Sequence, residues 1–294
     1  MIDGTASTGE DPPYEATKLA SAQVPLVAPT KTRESPWRAV RLSCHQFRYD
    51  LRAFLRNSQS RFFTLALPVM FLVILAGVFG HHSTRIAGGK VPTSVVYVPG
   101  IMTLGIIAAS FINLVIAVTA QRESGVLKRR RATPVPATAI IAGRALTSVF
   151  VAMAIVVVLL GVGWVAYGVH IPGRTLLALA VTVIVGAVSF CCLGYALTTV
   201  IHDQESAQPV TQAIMLPLYF ISGVFISTSS FPRWLGDVAG VFPVRHLVSA
   251  LLSVYNPYTV GAGFDGKDLW IVVAWGLGGL LIAVRRFQWM SLAH

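Results

Sequence analysis

Three kinds of residue in this chain could do chemistry: a dense basic run, the lone acid beside it, and a few uncharged polar side chains stranded in apolar sequence. The stretch 121–144, QRESGVLKRRRATPVPATAIIAGR, packs Arg122, Lys128, Arg129, Arg130, Arg131 and Arg144 around the single acid Glu123. It lies between two long apolar runs, so the positive-inside bias places it on the cytoplasmic side of a membrane. The spacing predicts a short helix from Glu123 to Ala132, closed by Pro134 and Pro136, which cannot continue it. Such a helix, held at both ends by membrane spans, can pass force between a soluble partner and the bilayer. Asn113 and Gln212 sit deep in apolar runs and must either bond another helix or face a solute.

Other chemistries lack their parts. No G-x-x-x-x-G-K-S/T phosphate loop occurs; Gly88-Gly89-Lys90 comes nearest but has no upstream glycine. H-E-x-x-H, paired carboxylates and a Gly-x-Ser-x-Gly turn are also missing. Acids are absent from the middle of every apolar run, which argues against a proton relay or an ion-coupled carrier. An intramembrane lipid-modifying enzyme would have only the His81-His82 cluster to work with, and a passive channel would lack rings of charge. Cys44, Cys191 and Cys192 cannot all pair; the adjacent two, within an apolar run, read as small packing residues and as no metal or redox site.

The 294 residues are 54% hydrophobic and only 12% charged, where a soluble domain carries about a quarter. This is the composition of an integral membrane protein. The net charge of +11 then reads as a basic face meeting anionic lipid, with no nucleic acid as partner.

The elements that must position these residues follow from hydropathy. Residues 1–35 lack apolar periodicity and read as a disordered cytosolic tail. Across 36–60, Trp37, Val40, Cys44, Phe47, Leu51, Phe54 and Leu55 recur every three or four residues beside a stripe containing Arg41, Arg48 and Arg52. That predicts an amphipathic helix in the membrane interface. Apolar runs long enough to span, uncharged except for Arg144 near the start of the third, follow at 62–80, 95–119, 140–167, 175–201 and 209–226, with a shorter one at 269–284. The stretch 227–255 is apolar but broken by Pro232, Gly236, Gly240 and Pro243, and predicts a re-entrant pair of short helices on the outside. The expected fold is an all-α membrane protein of six transmembrane helices over 61–290, multi-pass in the cell membrane, with both termini cytoplasmic. Only Arg85, Lys90, Arg174, Arg233, Arg245 and Lys267 fall outside in that topology.

Two of these stretches carry a family likeness. QRESGVLKRRRATPVP resembles the cytoplasmic signature of type-2 ABC exporter permeases of the daunorubicin-resistance and multidrug kind, in which an acidic-Gly element leads into a basic coupling helix and a Thr-Pro turn. The run 215–251, MLPLYFISGVFISTSSFPRWLGDVAGVFPVRHLVSAL, is similar to that family's second signature. The likeness covers roughly residues 37–290 and implies a six-span half-transporter with an elbow helix. It implies a second permease copy or a paralogue, and two separate ATPase subunits that bind ATP and Mg, with no cofactor in this chain itself. It further implies that Arg122, Glu123, Gly125, Val126, Leu127, Lys128, Arg129, Arg130, Arg131 and Pro134 form the ATPase-coupling element, where Gln121 stands in place of a second acid. The first, second and fifth spans would shape the exit path, with Phe111, Asn113, Gln212, Pro217, Tyr219 and Phe220 as candidates. Ser222, Gly223 and Phe225 would form an outer gate, and Pro217 a hinge. The cargo implied is amphipathic or lipophilic, a drug or lipid, with polysaccharide or glycolipid export as the alternative.

Overall fold

Long apolar runs without internal charge have one stable form in hydrocarbon, the helix, because every backbone hydrogen bond must be made within the segment. The computed structural model is built accordingly. It describes residues 36–80, 82–86, 88–124, 137–169, 172–201, 203–225, 231–259 and 261–286. The tail 1–35 and the residues Gly125, Val126, Leu127, Lys128, Arg129, Arg130, Arg131 and Pro134 of the expected coupling helix lie outside the described residues.

The helices, in chain order, are α1 (Pro36–Arg56), α2 (Ser58–Phe79), α3 (Thr93–Glu123), α4 (Ala137–Tyr167), α5 (Leu176–Leu197), α6 (Gln204–Ile221), α7 (Arg233–Ala239), α8 (Pro243–Tyr255) and α9 (Gly266–Arg286). Five of them, α2, α3, α4, α5 and α9, are long and apolar enough to cross a membrane, and α7 with α8 makes a sixth if that pair, bent by 96°, counts as one. The chain is therefore a mostly helical, multi-pass membrane protein. The run expected as a fifth span, 209–226, appears as α6, which starts five residues earlier and ends at Ile221. Gln204, Glu205, Gln208 and Gln212 lower its hydropathy, so it is not among the five.

α3 is the most enclosed of the spans and forms the axis of the bundle. Its residues Ile101, Met102, Ile106 and Ile107 are buried, as are Ile155 and Leu159 of α4, Phe190 of α5, and Leu247, Leu251 and Tyr255 of α8. The outer faces carry exposed apolar side chains, among them Ile74 and Val78, Val157 and Val165, Leu177, and Leu281 and Val284. In water these would be a liability; against lipid they are matched. α5 and α9 approach through glycine: a Cβ on Gly276 would lie 2.7 Å from Ser189 Oγ, and one on Gly279 2.9 Å from the Leu193 nitrogen. Small residues of this kind let two backbones close up where lipid offers no hydrophobic drive.

α1 lies against α4 with one side. Gly143 receives Gln46, Phe47 meets Phe150 edge to face at 5.6 Å, and Leu51 is partly buried. Arg41, Arg48 and Arg52 are exposed, and the Trp37 side chain lies outside the described ones. Asn57 ends α1 and starts α2, its side chain accepting the Ser60 N–H at 3.1 Å.

A feature the hydropathy does not announce is an antiparallel hairpin, β1 (Ser83–Ile86) with β2 (Gly89–Pro92), between α2 and α3. Tyr258 packs over Gly88, whose φ of +102° suits glycine, and its hydroxyl donates to the Lys90 carbonyl at 3.3 Å. At the same end His246 bridges three elements. Its Nδ1 is 2.7 Å from Asp268 Oδ1 at the start of α9, and its Nε2 is 2.8 Å from the Gly240 carbonyl between α7 and α8.

Candidate functional site

A cleft runs between α2, α3 and α6. Chain direction sorts its walls. One end is set by the start of α2, the second half of α3 and the start of α6, and carries Asn57, Gln59, Ser60, Asn113, Gln208 and Gln212. The other end carries Leu67, Phe71, Leu104, Leu216, Tyr219 and Phe225. Phe71 and Phe225 are 5.3 Å apart between ring centres, and Tyr219 meets Phe225 edge to face at 6.4 Å. The cleft is thus amphipathic along its length, amide-lined at one end and aromatic at the other.

Both α2 and α3 wind into a π-helical turn where they border it, at Phe62–Ala66 and Ala108–Ile112. A π turn inserts one residue into the helix and redirects the side chains beyond it, and such turns concentrate at functional sites. Here the two turns pack on each other, and Asn113, just after the second, donates through Nδ2 to Oγ1 of Thr64 within the first. Across the mouth, Gln59 Nε2 donates to Gln208 Oε1 at 2.9 Å. Gln212 makes no hydrogen bond within the described chain, and the buried Tyr219 hydroxyl has no protein partner.

The amide-lined end adjoins the end of α3, where the basic stretch begins. Arg122, although buried, does not face the cleft: its Nη1 donates to the Ile201 carbonyl at 3.0 Å, beyond α5. Glu123 Oε2 accepts the Gln204 N–H at 3.1 Å. Asp203, the cap residue of α6, makes no capping bond with its own side chain. Glu123 therefore caps α6 from a neighbouring helix, supplying both an acceptor and a negative charge at the positive end of the helix dipole.

A second cleft shares Asn57, Ser60 and Asn113 with the first and opens between α1, α3 and α4. Asp50 and Arg144 line it, Asp50 Oδ1 lying 3.5 Å from Arg144 Nη1, with both side chains largely buried. Sequence reasoning passed over this pair because the partners are far apart in the chain and on different elements. The signal available was Asp50 itself, the one acid in an otherwise arginine-rich helix.

Of the expected path residues, Asn113, Gln212, Tyr219 and Phe225 line the first cleft. Phe111 does not; it points to α5 and packs edge to face on Phe190 at 6.5 Å. Pro217 and Phe220 are exposed on α6, the latter against Phe225. Ser222 and Gly223 are buried in the turn that ends α6, and Gly223 takes φ +89°. That turn lies hard on α3, since a Cβ on Gly100 would come within 2.5 Å of the Val224 carbonyl. Thr64, Phe71 and Gln208 line the cleft and were not singled out from sequence. Among the described residues no group of three or more His, Cys, Asp or Glu is placed to hold a metal ion.

Residues 45–256 match the ABC-2 type transporter family, and the chain belongs to that family. Among curated proteins it is similar to the protein named "Probable multidrug ABC transporter permease YbhR" of Escherichia coli K12, at 24% identity over 155 residues. The protein of the same name from Escherichia coli O157:H7 matches equally. The matched stretch covers 53% of this chain and 41% of the relatives' length.

Proposed function

We propose that this chain is the membrane-spanning half of an ATP-driven exporter that moves an amphipathic or lipophilic molecule out of the cell. Two separate ATPase subunits supply the energy, binding ATP and Mg, and a second permease copy or paralogue completes the membrane part. In this reading the 122–134 segment seats on the ATPase, and both chain termini and α1 lie on the cytoplasmic side. The observation that carries it is the double tie at the root of that segment. Arg122 and Glu123 grip the Ile201 carbonyl and the Gln204 N–H, so a push on the segment is delivered to α3 and α6, two walls of the cleft.

The likeness to a relative named as a multidrug permease supports a lipophilic or amphipathic cargo. A ligand or nucleotide only biases states the bundle already visits, so the ATPase must bind two arrangements of these helices with different affinity. The polar links Gln59–Gln208 and Asn113–Thr64 hold α2 to the other walls and are the bonds that exchange between arrangements.

The test is co-purification with a candidate ATPase, followed by transport in vesicles. Charge reversal at Glu123, or proline at Leu127, is expected to abolish export while leaving ATP binding by the partner intact. Normal export by both variants overturns the proposal.

A further inference from the structure

We infer that the cleft between α2, α3 and α6 selects cargo with an uncharged, hydrogen-bonding head and an apolar or aromatic body, and disfavours cationic amphiphiles. This rests on reading that cleft as the cargo path. None of its lining residues is Asp, Glu, Lys, Arg or His. Arg56, Arg61 and Glu205 stand close to lining residues in the chain without themselves lining the cleft, Asp50 and Arg144 face each other in the adjoining cleft, and Glu123 holds the Gln204 N–H. A permanent cation entering here would shed water with no counter-charge to receive it, and an enclosed charge is tolerated only when paired. Amides and hydroxyls, by contrast, both donate and accept, and can satisfy a polyol, a sugar or an amide in full.

Two side chains define where such a molecule would bond. Gln212 lines the cleft without a hydrogen bond inside the described chain. Tyr219, only 4% exposed, is also a lining residue, and its hydroxyl, enclosed in the resting arrangement, has no protein partner. Seven residues apart, they fall on nearly the same face of α6 and about 10 Å apart along its axis. A buried hydroxyl left unsatisfied by its own protein is costly, so a ligand hydrogen-bonding group reaching Tyr219 would remove a cost as well as add a contact. Between the two lie Leu216 and, from the other walls, Phe71 and Phe225. The site therefore fits a molecule with its head at Gln212, its apolar body against the aromatic rings, and a second polar group at Tyr219.

The experiment uses the full chain in lipid nanodiscs and two diazirine-bearing amphiphiles with one alkyl tail, one with a glucoside head and one with a trimethylammonium head. Crosslinks are mapped by mass spectrometry and half-saturating concentrations compared. The glucoside is expected to label α2, α3 and α6 at the cleft about tenfold more tightly than the ammonium, a difference of roughly 1.4 kcal/mol. Gln212→Leu should weaken the glucoside alone, and Gln212→Glu should reverse the preference. Tyr219→Phe should leave thermal stability unchanged or raised, and should weaken only a glucoside probe that carries a second hydroxyl near its tail end. Equal or tighter cleft labelling by the ammonium overturns the selectivity while leaving the cargo path standing. Absence of cleft labelling by either probe, or crosslinks there only between two copies of the chain, overturns both.

Discussion

Glu123 Oε2 accepts the backbone N–H of Gln204 at 3.1 Å, eighty-one residues further along the chain. The acid at the root of the basic stretch is thus also the missing cap of α6. Replacing it with alanine should expose the first turn of α6. A loss of about 1 kcal/mol is expected from the cap, with faster hydrogen exchange confined to the amides near 204–207 and loss of coupled export. Unchanged exchange there would show that the bond does not hold in the membrane.

The mouth of the cleft offers a direct test of motion. Gln59 and Gln208 are hydrogen-bonded across it, so cysteines at both positions, with the native thiols removed, should crosslink readily. Oxidation is expected to stop export and a reductant to restore it. Continued export by the fully crosslinked protein would mean that α2 and α6 need not part.

The Asp50–Arg144 pair joins α1 to α4 in a largely buried setting. Removing one partner of a buried pair strands the other, and costs about 3 kcal/mol or more, whereas replacing both with apolar residues is close to neutral. Asp50→Leu should therefore unfold at a clearly lower temperature than wild type, and Asp50→Leu with Arg144→Met should recover most of the loss. An additive effect of the two substitutions would show that the pair contributes nothing.

Packing and path residues should separate cleanly. Phe111, between α3 and Phe190, should cost about 3–5 kcal/mol when changed to alanine, with the order of preferred cargoes unchanged. At the α5–α9 contact, Gly279→Val must push against the Leu193 backbone, and overpacking of this kind costs about 1–3 kcal/mol. Thermal unfolding in detergent measures both. Altered cargo preference in the Phe111 variant would place that ring in the path after all.

Much of this architecture is legible in the sequence because lipid imposes simple demands. Apolar runs of about twenty residues or more gave four spans with ends within about four residues of those observed, and the three-four spacing from Trp37 to Leu55 gave α1. Asn113 and Gln212 stood out as polar residues in apolar runs and do line one cleft. Periodicity cannot say which neighbour a side chain meets, so Phe111 looked like its cleft-lining neighbour Ile112 and the bond from Glu123 to Gln204 left no trace. Nor does hydropathy register a π turn, which changes the winding and not the composition. The hairpin 83–92 was hidden for another reason: four-residue strands in a polar loop carry too little alternation to be seen.

The turn after α6 rests against Gly100, and the first residue of α6 is held by Glu123; both anchors belong to α3. A helix fastened to the same neighbour at top and bottom cannot swing away from it, so α3 and α6 behave as one plank. Of the three walls of the cleft, α2 is then the one free to part from the other two, and in the proposed transport cycle it is the jaw that moves, joined to α1 through Asn57.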